Sequence, residues 1–341
     1  MSLLKKIMFG LAALILIGAG YFYYVRYNQT KISPPQEKLW RIGFLLIDKD
    51  IVGGIIPGSF KEAMKGLGYV EEKNTIYTIK EATGGNAGLL DKYAEELDNA
   101  GLDVIIVGAT SSARPFKKIG LKTPIFVLGM GDPTALVGNP AKPEGLITGI
   151  GEGALEFNGK RLELLKQIKP TIKKVVSIVD TNHSNTLATK ASLEKPAKEL
   201  GLEMTYLEIS DFSNPKELLE KLPKLTNKLG DAYISCACPS GVRNAKEVTE
   251  QLKKEKMPSI SGQLKPGAEE GFLASYSDQR EELVRLAVSS VDQILKGTPV
   301  SGVPVKFVTT AVLELNEDTA KAIGVSFSEA IKQRASKIYG Q

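Results

Sequence analysis

The sequence predicts an α/β protein of two doubly wound lobes, each built on a parallel sheet, with a ligand cleft between them. Short apolar runs of strand type alternate with segments of helical apolar spacing, which is typical of parallel sheets covered on both faces. This alternation restarts after Gly149, Ile150 and Gly151, so the second half repeats the architecture of the first. The length of 341 residues also fits about two domains.

The first half of the chain supplies the elements of one lobe. Short segments of strand type, most of them apolar runs, predict strands at residues 41–47, 75–80, 103–107 and 124–128. Helical spacing predicts helices at residues 58–67 and 87–100, which end at Gly68 and Gly101. The segment 109–112 precedes a further helix.

The second half supplies the other lobe and the C-terminal elements. The same patterns predict helices at residues 155–168, 187–200, 215–229 and 243–254, and strands at 175–179, 203–207, 232–236 and 272–275. A long helix at 279–295 leads to strands at 303–309 and 312–315, and helical patterns follow at 318–322 and 328–338. In such sheets ligands bind outside the carboxyl ends of the strands, so the cleft is expected there.

The order of these elements predicts the domain organisation. Residues 1–28 form a membrane anchor or signal segment and residues 29–39 a linker. Lobe 1 comprises residues 40–151 and 277–308, and lobe 2 comprises residues 152–276 and 309–341. The chain therefore crosses between the lobes three times, and we expect the crossings to act as hinges that let the lobes close on a ligand.

The N-terminal segment predicts an extracytoplasmic location for the body. Residues 7–25 carry no charge, follow Lys5 and Lys6 and precede Arg26, and this length suffices to cross a bilayer core. A cleaved signal peptide ending near Gly20 is the alternative. The aromatic run at residues 21–24 favours an uncleaved transmembrane helix that anchors the protein to the cytoplasmic membrane. With cleavage, the protein would be secreted or periplasmic.

Composition excludes several classes of function. The chain has 44 Lys and Arg against 39 Asp and Glu, and four of those bases and no acid lie in residues 1–31, so the remainder is nearly neutral. A nearly neutral body argues against a nucleic-acid partner. Because His183 is the single histidine, a multi-histidine metal site is excluded. The sequence carries no nucleophile, metal or cofactor motif, so we expect no metal, no cofactor and no catalytic residue.

Six segments, in order between about residues 40 and 330, carry a family resemblance. They are residues 60–70 (FKEAMKGLGYV), 103–112 (DVIIVGATSS), 131–133 (GDP), 146–150 (LITGI), 164–170 (LLKQIKP) and 315–327 (LNEDTAKAIGVSF). These segments resemble the TrpX-like substrate-binding proteins of ABC transporters. The resemblance implies a type I periplasmic-binding fold, a small-molecule ligand that is aromatic or amino-acid-like, and an ABC permease and cytoplasmic ATPase as partners. We expect the protein to be a monomer.

Candidate ligand-binding residues in lobe 1 follow its predicted strands. Thr110 and Ser111 come after the strand at 103–107 and open a helix, whose N–H groups favour an anionic group of a ligand. The alternative is that these residues only cap the helix, since Ser and Thr are preferred there. Asp132 follows the strand at 124–128, and Asp48 follows the first strand. Each can accept a ligand hydrogen bond or simply belong to a turn.

Candidate residues in lobe 2 are Asp180, His183, Tyr276 and Asp278. Asp180 and His183 follow the strand at 175–179, where a lone loop histidine is more often a surface or capping residue than a catalyst. Tyr276 and Asp278 are expected in a turn after the strand at 272–275. There Tyr276 can stack on an unsaturated ligand, and Asp278 can supply an anion or be a helix N-cap.

The segment 236–238 (CAC) departs from the pattern of the family that the chain resembles. An Asp common there in the family is replaced by Ala237 and Cys238 in this sequence, which puts an α-amino-acid ligand in doubt. Two small buried thiols are favoured over a redox or metal role.

The leading function is an extracytoplasmic solute receptor of an ABC importer. The alternatives are a membrane-tethered ligand-sensing ectodomain or a hydrolytic enzyme on the same fold.

Overall fold

The computed structural model describes residues 38–47, 57–82, 86–131, 133–151, 155–182, 186–210, 215–235, 244–263 and 266–340. Residues 40–341 form one compact unit, separate from a unit of residues 1–39. The predicted membrane anchor therefore lies outside the described residues. Within the described ranges, no helix combines the length and the apolar character needed to cross a membrane.

Thirteen strands are present in the described part of the chain. They are β1 (Trp40–Leu46), β2 (Thr75–Glu81), β3 (Val104–Val107), β4 (Ile125–Met130), β5 (Ile147–Gly151), β6 (Lys174–Asp180), β7 (Glu203–Ile209), β8 (Ala232–Ile234), β9 (Ser259–Ser261), β10 (Ala274–Asp278), β11 (Lys306–Phe307), β12 (Ala311–Asn316) and β13 (Lys337–Tyr339).

Eleven α-helices accompany these strands in the described ranges. They are α1 (Gly58–Gly66), α2 (Ala87–Asp98), α3 (Thr110–Lys118), α4 (Pro133–Val137), α5 (Asn158–Ile168), α6 (Thr186–Glu199), α7 (Pro215–Lys221), α8 (Ala245–Lys254), α9 (Arg280–Leu295), α10 (Glu317–Ile323) and α11 (Glu329–Lys332). Short 3₁₀ turns follow at Leu222–Lys224 and Val300–Gly302.

The strands form two sheets. The first has the order β11-β5-β4-β3-β1-β2, and all its pairs are parallel. The second has the order β13-β12-β10-β9-β8-β6-β7, and only β10 and β12 pair antiparallel. The predicted α/β class with parallel sheets is confirmed. Each sheet together with the helices that cover it is called a lobe below.

Both sheets are covered on both faces, as the continuous apolar runs of their strands require. In the first lobe, α1 and α9 contribute Phe60, Met64 and Val288 to one core, and α2 and α3 contribute Leu97 and Phe116 to the other. In the second lobe, α5 and α6 cover one face, and α7 and α8 cover the other.

The chain passes between the sheets at three places, which we call crossings. The first crossing follows β5 and precedes α5, and part of it lies outside the described residues. The second crossing joins β10 of the second sheet to α9, which packs on the first sheet. The third crossing joins β11 of the first sheet to β12 of the second.

Several predicted elements are wrong in detail. Residues 276–278 belong to β10 instead of a turn, because their main chain pairs with β12. Residues 337–339 form β13 instead of continuing a helix, because they pair with β12 as well. The helix at 215–229 ends at Lys221, where Pro223 follows within a 3₁₀ turn. Of the strand at 303–309, only Lys306–Phe307 pairs with β5.

Candidate functional site

The strand orders define a switch point in each sheet, where the connections from neighbouring strands lead in opposite directions. In the first sheet this point lies between β1 and β3, and in the second between β6 and β8. A crevice opens at the carboxyl edge of such a point, and ligands of open α/β sheets bind there. Thr110 and Ser111 follow β3, and Asp180 ends β6, so three candidates belong to strands that flank these points.

The first turn of α3 is not capped by a side chain. Ala109 occupies the N-cap position with extended φ and ψ of −160° and 166°, so Thr110 and Ser111 are the first two helical residues. The interpretation that these two residues serve as the N-cap is therefore wrong. Alanine has no side-chain acceptor for the first N–H groups of a helix, which are left to water or to a ligand.

Thr110 joins two neighbouring loops at the carboxyl edge of the first sheet. Its Oγ1 accepts a hydrogen bond from the N–H of Gly131 at 3.1 Å. Gly131 follows β4 and directly precedes Asp132, which lies outside the described residues, as does Asp48. The first turn of α3 is thus connected to the residue that directly follows β4.

Ser112 completes the polar first turn of α3 and is a further polar residue beside the candidates Thr110 and Ser111. Its side chain is fully buried, and its Oγ has no hydrogen-bond partner among the described residues. A buried hydroxyl without a partner costs about 1–3 kcal/mol. This turn therefore combines uncapped main-chain donors with a buried hydroxyl donor.

Asp180 closes the carboxyl end of β6 in the second lobe. It is fully buried, and its Oδ1 accepts the N–H of Asn182 at 2.8 Å. The Asn182 side chain donates in turn to the main-chain oxygen of Ser210, which follows β7. Part of the Asp180 carboxylate thus shapes the turn, and His183 in the next part of this loop lies outside the described residues.

Tyr276 and Asp278 lie on one face of β10, two residues apart. The Tyr276 ring meets the Phe157 ring edge-to-face, with centroids 5.6 Å apart. Asp278 is the last residue of β10 and is opposite Ala311 of β12. Because Gln279 occupies the N-cap of α9, the alternative that Asp278 is the N-cap of this helix is wrong.

The structure separates the second-lobe candidates into two groups. Asp180 ends β6 and Asp278 ends β10, and β8 and β9 lie between these two strands. Three strand spacings of about 4.8 Å therefore place the two residues about 14 Å apart across the sheet. They do not form one acid pair.

Arg161 of α5 is a further polar residue near this edge and is not among the candidates predicted from the sequence. It is 1% exposed. Its Nε donates to the Tyr276 main-chain oxygen at 2.7 Å, Nη2 to the Gly262 oxygen at 3.0 Å, and Nη1 to Asn158 Oδ1 at 2.8 Å. Arg161 thereby fixes the ends of β9 and β10 to α5.

A signal for Arg161 exists in the sequence. It lies three, four and seven residues before Leu164, Leu165 and Ile168, so it shares the apolar stripe of its helix. A charged residue on such a stripe indicates either an error in the pattern or a buried polar contact. The structure shows that it is a buried contact.

Charged groups also lie near the third crossing. Burial lowers the pKa of Lys306 below its ordinary value, and the nearby Arg285 charge lowers it further.

Among the described residues, no group of three or more His, Cys, Asp or Glu side chains is placed to hold a metal ion.

An open groove of about 540 Å³ lies between α1 and α9 on the outer side of the first lobe. Ala63, Leu67, Val284 and Val288 form its apolar surface, and Arg280 lies at one end. None of the described candidate residues lines it, so it is distinct from the carboxyl-edge site.

Comparisons with known proteins agree with this geometry. The model of a family described as ABC transporter substrate binding protein matches residues 47–339. A curated "Tyrosine-binding protein" of Clostridioides difficile strain R20291 is 26% identical over 269 residues, which are 77% of this chain and 75% of that protein.

Two solved structures are similar over most of the chain. One is an ABC domain from Streptococcus pneumonia in complex with L-Trp, with a TM-score of 0.80 and 19% identity, covering 88% of this chain and 100% of that chain. The other is a ligand-free, open substrate-binding protein with adhesive properties from Clostridium difficile, with a TM-score of 0.66 and 22% identity, covering 89% of this chain and 100% of that chain. At these identities the likeness shows the fold, which is of the periplasmic-binding type.

Proposed function

The chain belongs to the family of ABC transporter substrate-binding proteins, and on this premise we propose that it captures a small aromatic or amino-acid-like solute between its lobes. It then delivers the solute to an ABC permease that a cytoplasmic ATPase drives. The predicted family resemblance is confirmed by the family match. The solute class and the delivery step are our proposal.

The observation that carries the proposal is the uncapped first turn of α3 beside a sheet switch point. The N–H groups of such a turn favour negative charge, since the helix dipole is positive at this end. A ligand carboxylate satisfies these donors, and the hydroxyls of Thr110 and Ser111 lie in the same turn. We therefore propose that this turn holds the anionic end of the solute.

The second lobe contributes the contacts to the other end of the solute. We propose that Tyr276 stacks on its unsaturated part and that Asp278 accepts hydrogen bonds from it. The proposed ligand contacts also include four residues, each at the carboxyl edge of a strand or in the loop after it: Asp180, His183, Asp48 and Asp132.

Tyrosine and tryptophan define the aromatic class that we propose for this chain. The curated relative is named for tyrosine, and the structure from Streptococcus pneumonia holds L-Trp. The replacement of an acidic residue by Ala237 and Cys238 argues against strong recognition of an α-amino group. The proposed solute is therefore an aromatic carboxylate for which an amino group contributes little.

The proposal also includes the location and state of the protein. The body acts outside the cytoplasmic membrane, is held there by the N-terminal segment, and is a monomer without catalytic activity. Mass analysis of the N-terminus from the membrane fraction tests the anchor. A mature chain beginning near Tyr21 would contradict it.

Calorimetric titration of the full-length protein tests the ligand class. The compounds are L-tyrosine, L-tryptophan, 3-(4-hydroxyphenyl)propionate, which lacks the amino group, and L-leucine, which lacks the ring. We expect the three aromatic carboxylates to bind more tightly than L-leucine. If L-leucine bound more tightly than all three aromatic compounds, the aromatic class would be wrong.

Variants of α3 test the site itself. Removal of a buried hydrogen-bond partner costs about 1–3 kcal/mol, so Thr110→Ala and Ser111→Ala should each weaken binding roughly 5- to 150-fold. Ser289→Ala is the control, because Ser289 lies in the outer groove of the first lobe. Unchanged binding in both α3 variants would contradict the proposed site.

A further inference from the structure

The second and third crossings run side by side. β10 and β12 pair antiparallel up to Asp278 opposite Ala311, so both crossings leave the second sheet at neighbouring positions. The N–H of Gln279 donates to the main-chain oxygen of Thr310 at 2.9 Å. Because the two segments are in contact, rotation of one lobe against the other has to deform both.

Glu282 adds a second connection between these crossings. It lies in the first turn of α9, directly after the second crossing, and its carboxylate faces the third. Oε2 accepts the N–H of Thr310 at 2.9 Å and the N–H of Thr309 at 3.3 Å, and Oε1 accepts the Thr309 hydroxyl at 3.1 Å. One side chain thus receives three hydrogen bonds from the other segment.

The surroundings of Glu282 keep its carboxylate charged. Burial acts to raise the pKa of Glu282, but the hydrogen bonds from Thr310 and Thr309 outweigh it, so the pKa lies below its ordinary value. Arg285 is a weaker neighbour, since its Nη2 is 3.8 Å from Oε1 and its side chain is 70% exposed. Hydrogen bonds to an ionised acceptor are about twice as strong as neutral ones.

We propose that Glu282 is a positioning residue that fastens the second and third crossings together, so that they bend as one hinge. This inference rests on the proposed function, because closure around a solute is the motion that the hinge serves. The carboxylate contacts main-chain donors of Thr309 and Thr310, which are both exposed.

Loss of this connection has a defined physical consequence. Without the three hydrogen bonds, the crossings keep the main-chain contact of Gln279 with Thr310 and lose their connection through the Glu282 side chain. The unliganded lobes then sample a wider range of relative orientations. Binding has to remove that additional freedom, so the affinity falls although no ligand contact has changed.

Distances between spin labels on the two lobes measure the range of orientations directly. The labels are attached to cysteines that replace Lys92 on α2 and Glu220 on α7, which are both exposed. Cys236 and Cys238 are replaced by serine in every sample. The full-length chain is measured without ligand as the parent and as the variants Glu282→Gln, Thr309→Ala and Glu281→Gln.

The four samples have different expected outcomes. Glu282→Gln removes the charge and replaces one of the two acceptor oxygens by an NH2 group, so the hydrogen bonds to this side chain become fewer and weaker and the unliganded distance distribution should broaden. Thr309→Ala removes only the hydroxyl donor and should broaden it less. Glu281→Gln is the matched control: it makes the same charge change at the neighbouring exposed residue and should leave the distribution as in the parent. Titration with L-tyrosine and L-tryptophan should show affinity about 5- to 30-fold lower for Glu282→Gln, equivalent to about 1–2 kcal/mol.

An unliganded distribution in Glu282→Gln as narrow as in the parent would overturn the proposal. If Glu282→Gln does not fold, Thr309→Ala decides: a broader distribution supports the proposal and an unchanged one overturns it. If the parent bound none of the aromatic compounds, the proposed function would fail. The unliganded distances would still decide the role of Glu282.

Discussion

Substitution of Arg161 should destabilise the second lobe more than any change to an exposed residue of the same helix. Arg161→Met removes the donors of three hydrogen bonds and leaves the main-chain oxygens of Tyr276 and Gly262 without them. An unsatisfied buried acceptor costs about 1–3 kcal/mol, and the charged donor made each bond stronger than average. Methionine recovers part of the apolar contact. We therefore expect a loss of about 3–5 kcal/mol in the free energy of unfolding.

Differential scanning calorimetry of the full-length protein measures this loss. A shift of roughly 2–4 °C per kcal/mol predicts a fall in Tm of roughly 6–20 °C. The Tm of Arg161→Lys should fall less, since the lysine ammonium group keeps the charge and some of the donors but lacks the planar guanidinium geometry.

Lys160→Met provides the control one residue away. Lys160 is partly exposed and forms a surface ion pair with Glu163 at 2.8 Å, a kind of contact worth about 0–1 kcal/mol. Its Tm should stay close to that of the parent. Equal melting temperatures for Arg161→Met and Lys160→Met would refute the structural role assigned to Arg161.

Three further predictions follow from other parts of the structure. Gly149→Ala should lower the free energy of unfolding, measured by urea denaturation, by about 2–3 kcal/mol, because a Cβ at this position would lie 2.0 Å from a main-chain oxygen of β4. Gly120→Ala is the control: a Cβ there meets open space, so the free energy of unfolding should hardly change. Asn316→Ala should cost about 1–3 kcal/mol by the same assay, because Asn316 caps α10 and also donates to Ala268 O at 2.7 Å; a loss near zero would contradict the cap. Because the folded-state pKa of Glu282 is lowered, its stabilisation is complete above the unfolded-state value of about 4.3 and is lost as the pH falls through the folded-state pKa. The Tm difference between parent and Glu282→Gln should therefore shrink at low pH, and a difference that grows there would contradict this.

The central strands of the first sheet were predictable because they are apolar on both faces. Val104–Val107 is a run of four fully buried aliphatic residues, and such a run has few alternatives to a central strand of a parallel sheet. The helices α1 and α2 were predictable from their apolar stripes and from the glycines that follow them, Gly68 and Gly101. Local sequence and fold agree in these elements.

Other strands have no such local signal. β9 is Ser-Ile-Ser, and β10 ends in Tyr-Ser-Asp, yet both are paired inside the second sheet. Their polar side chains suggest turns, and only pairing with neighbours distant in the sequence makes them strands. β13 was missed for the same reason, since its partner β12 alone defines it.

Only the candidate residues that end or follow an apolar strand could be predicted from the sequence. Thr110 and Asp180 were chosen because they follow or end apolar strands, and the switch points of the sheets coincide with those strands. Arg161 was missed because helix patterns assign apolar stripes to the core and charges to solvent. Its partners are main-chain oxygens of β10 and the loop after β9, which no motif specifies.

In the proposed complex, the first turn of α3 holds an aromatic carboxylate between the lobes. Native mass spectrometry of the full-length protein and of Thr110→Ala, purified from the protein's own host without added ligand, shows which molecule is bound and whether this turn holds it. We expect the parent to retain a small molecule whose fragmentation identifies an aromatic carboxylate, and we expect Thr110→Ala to retain less of it. A bound sugar or polyamine, or an aromatic carboxylate retained equally by both proteins, would contradict the account.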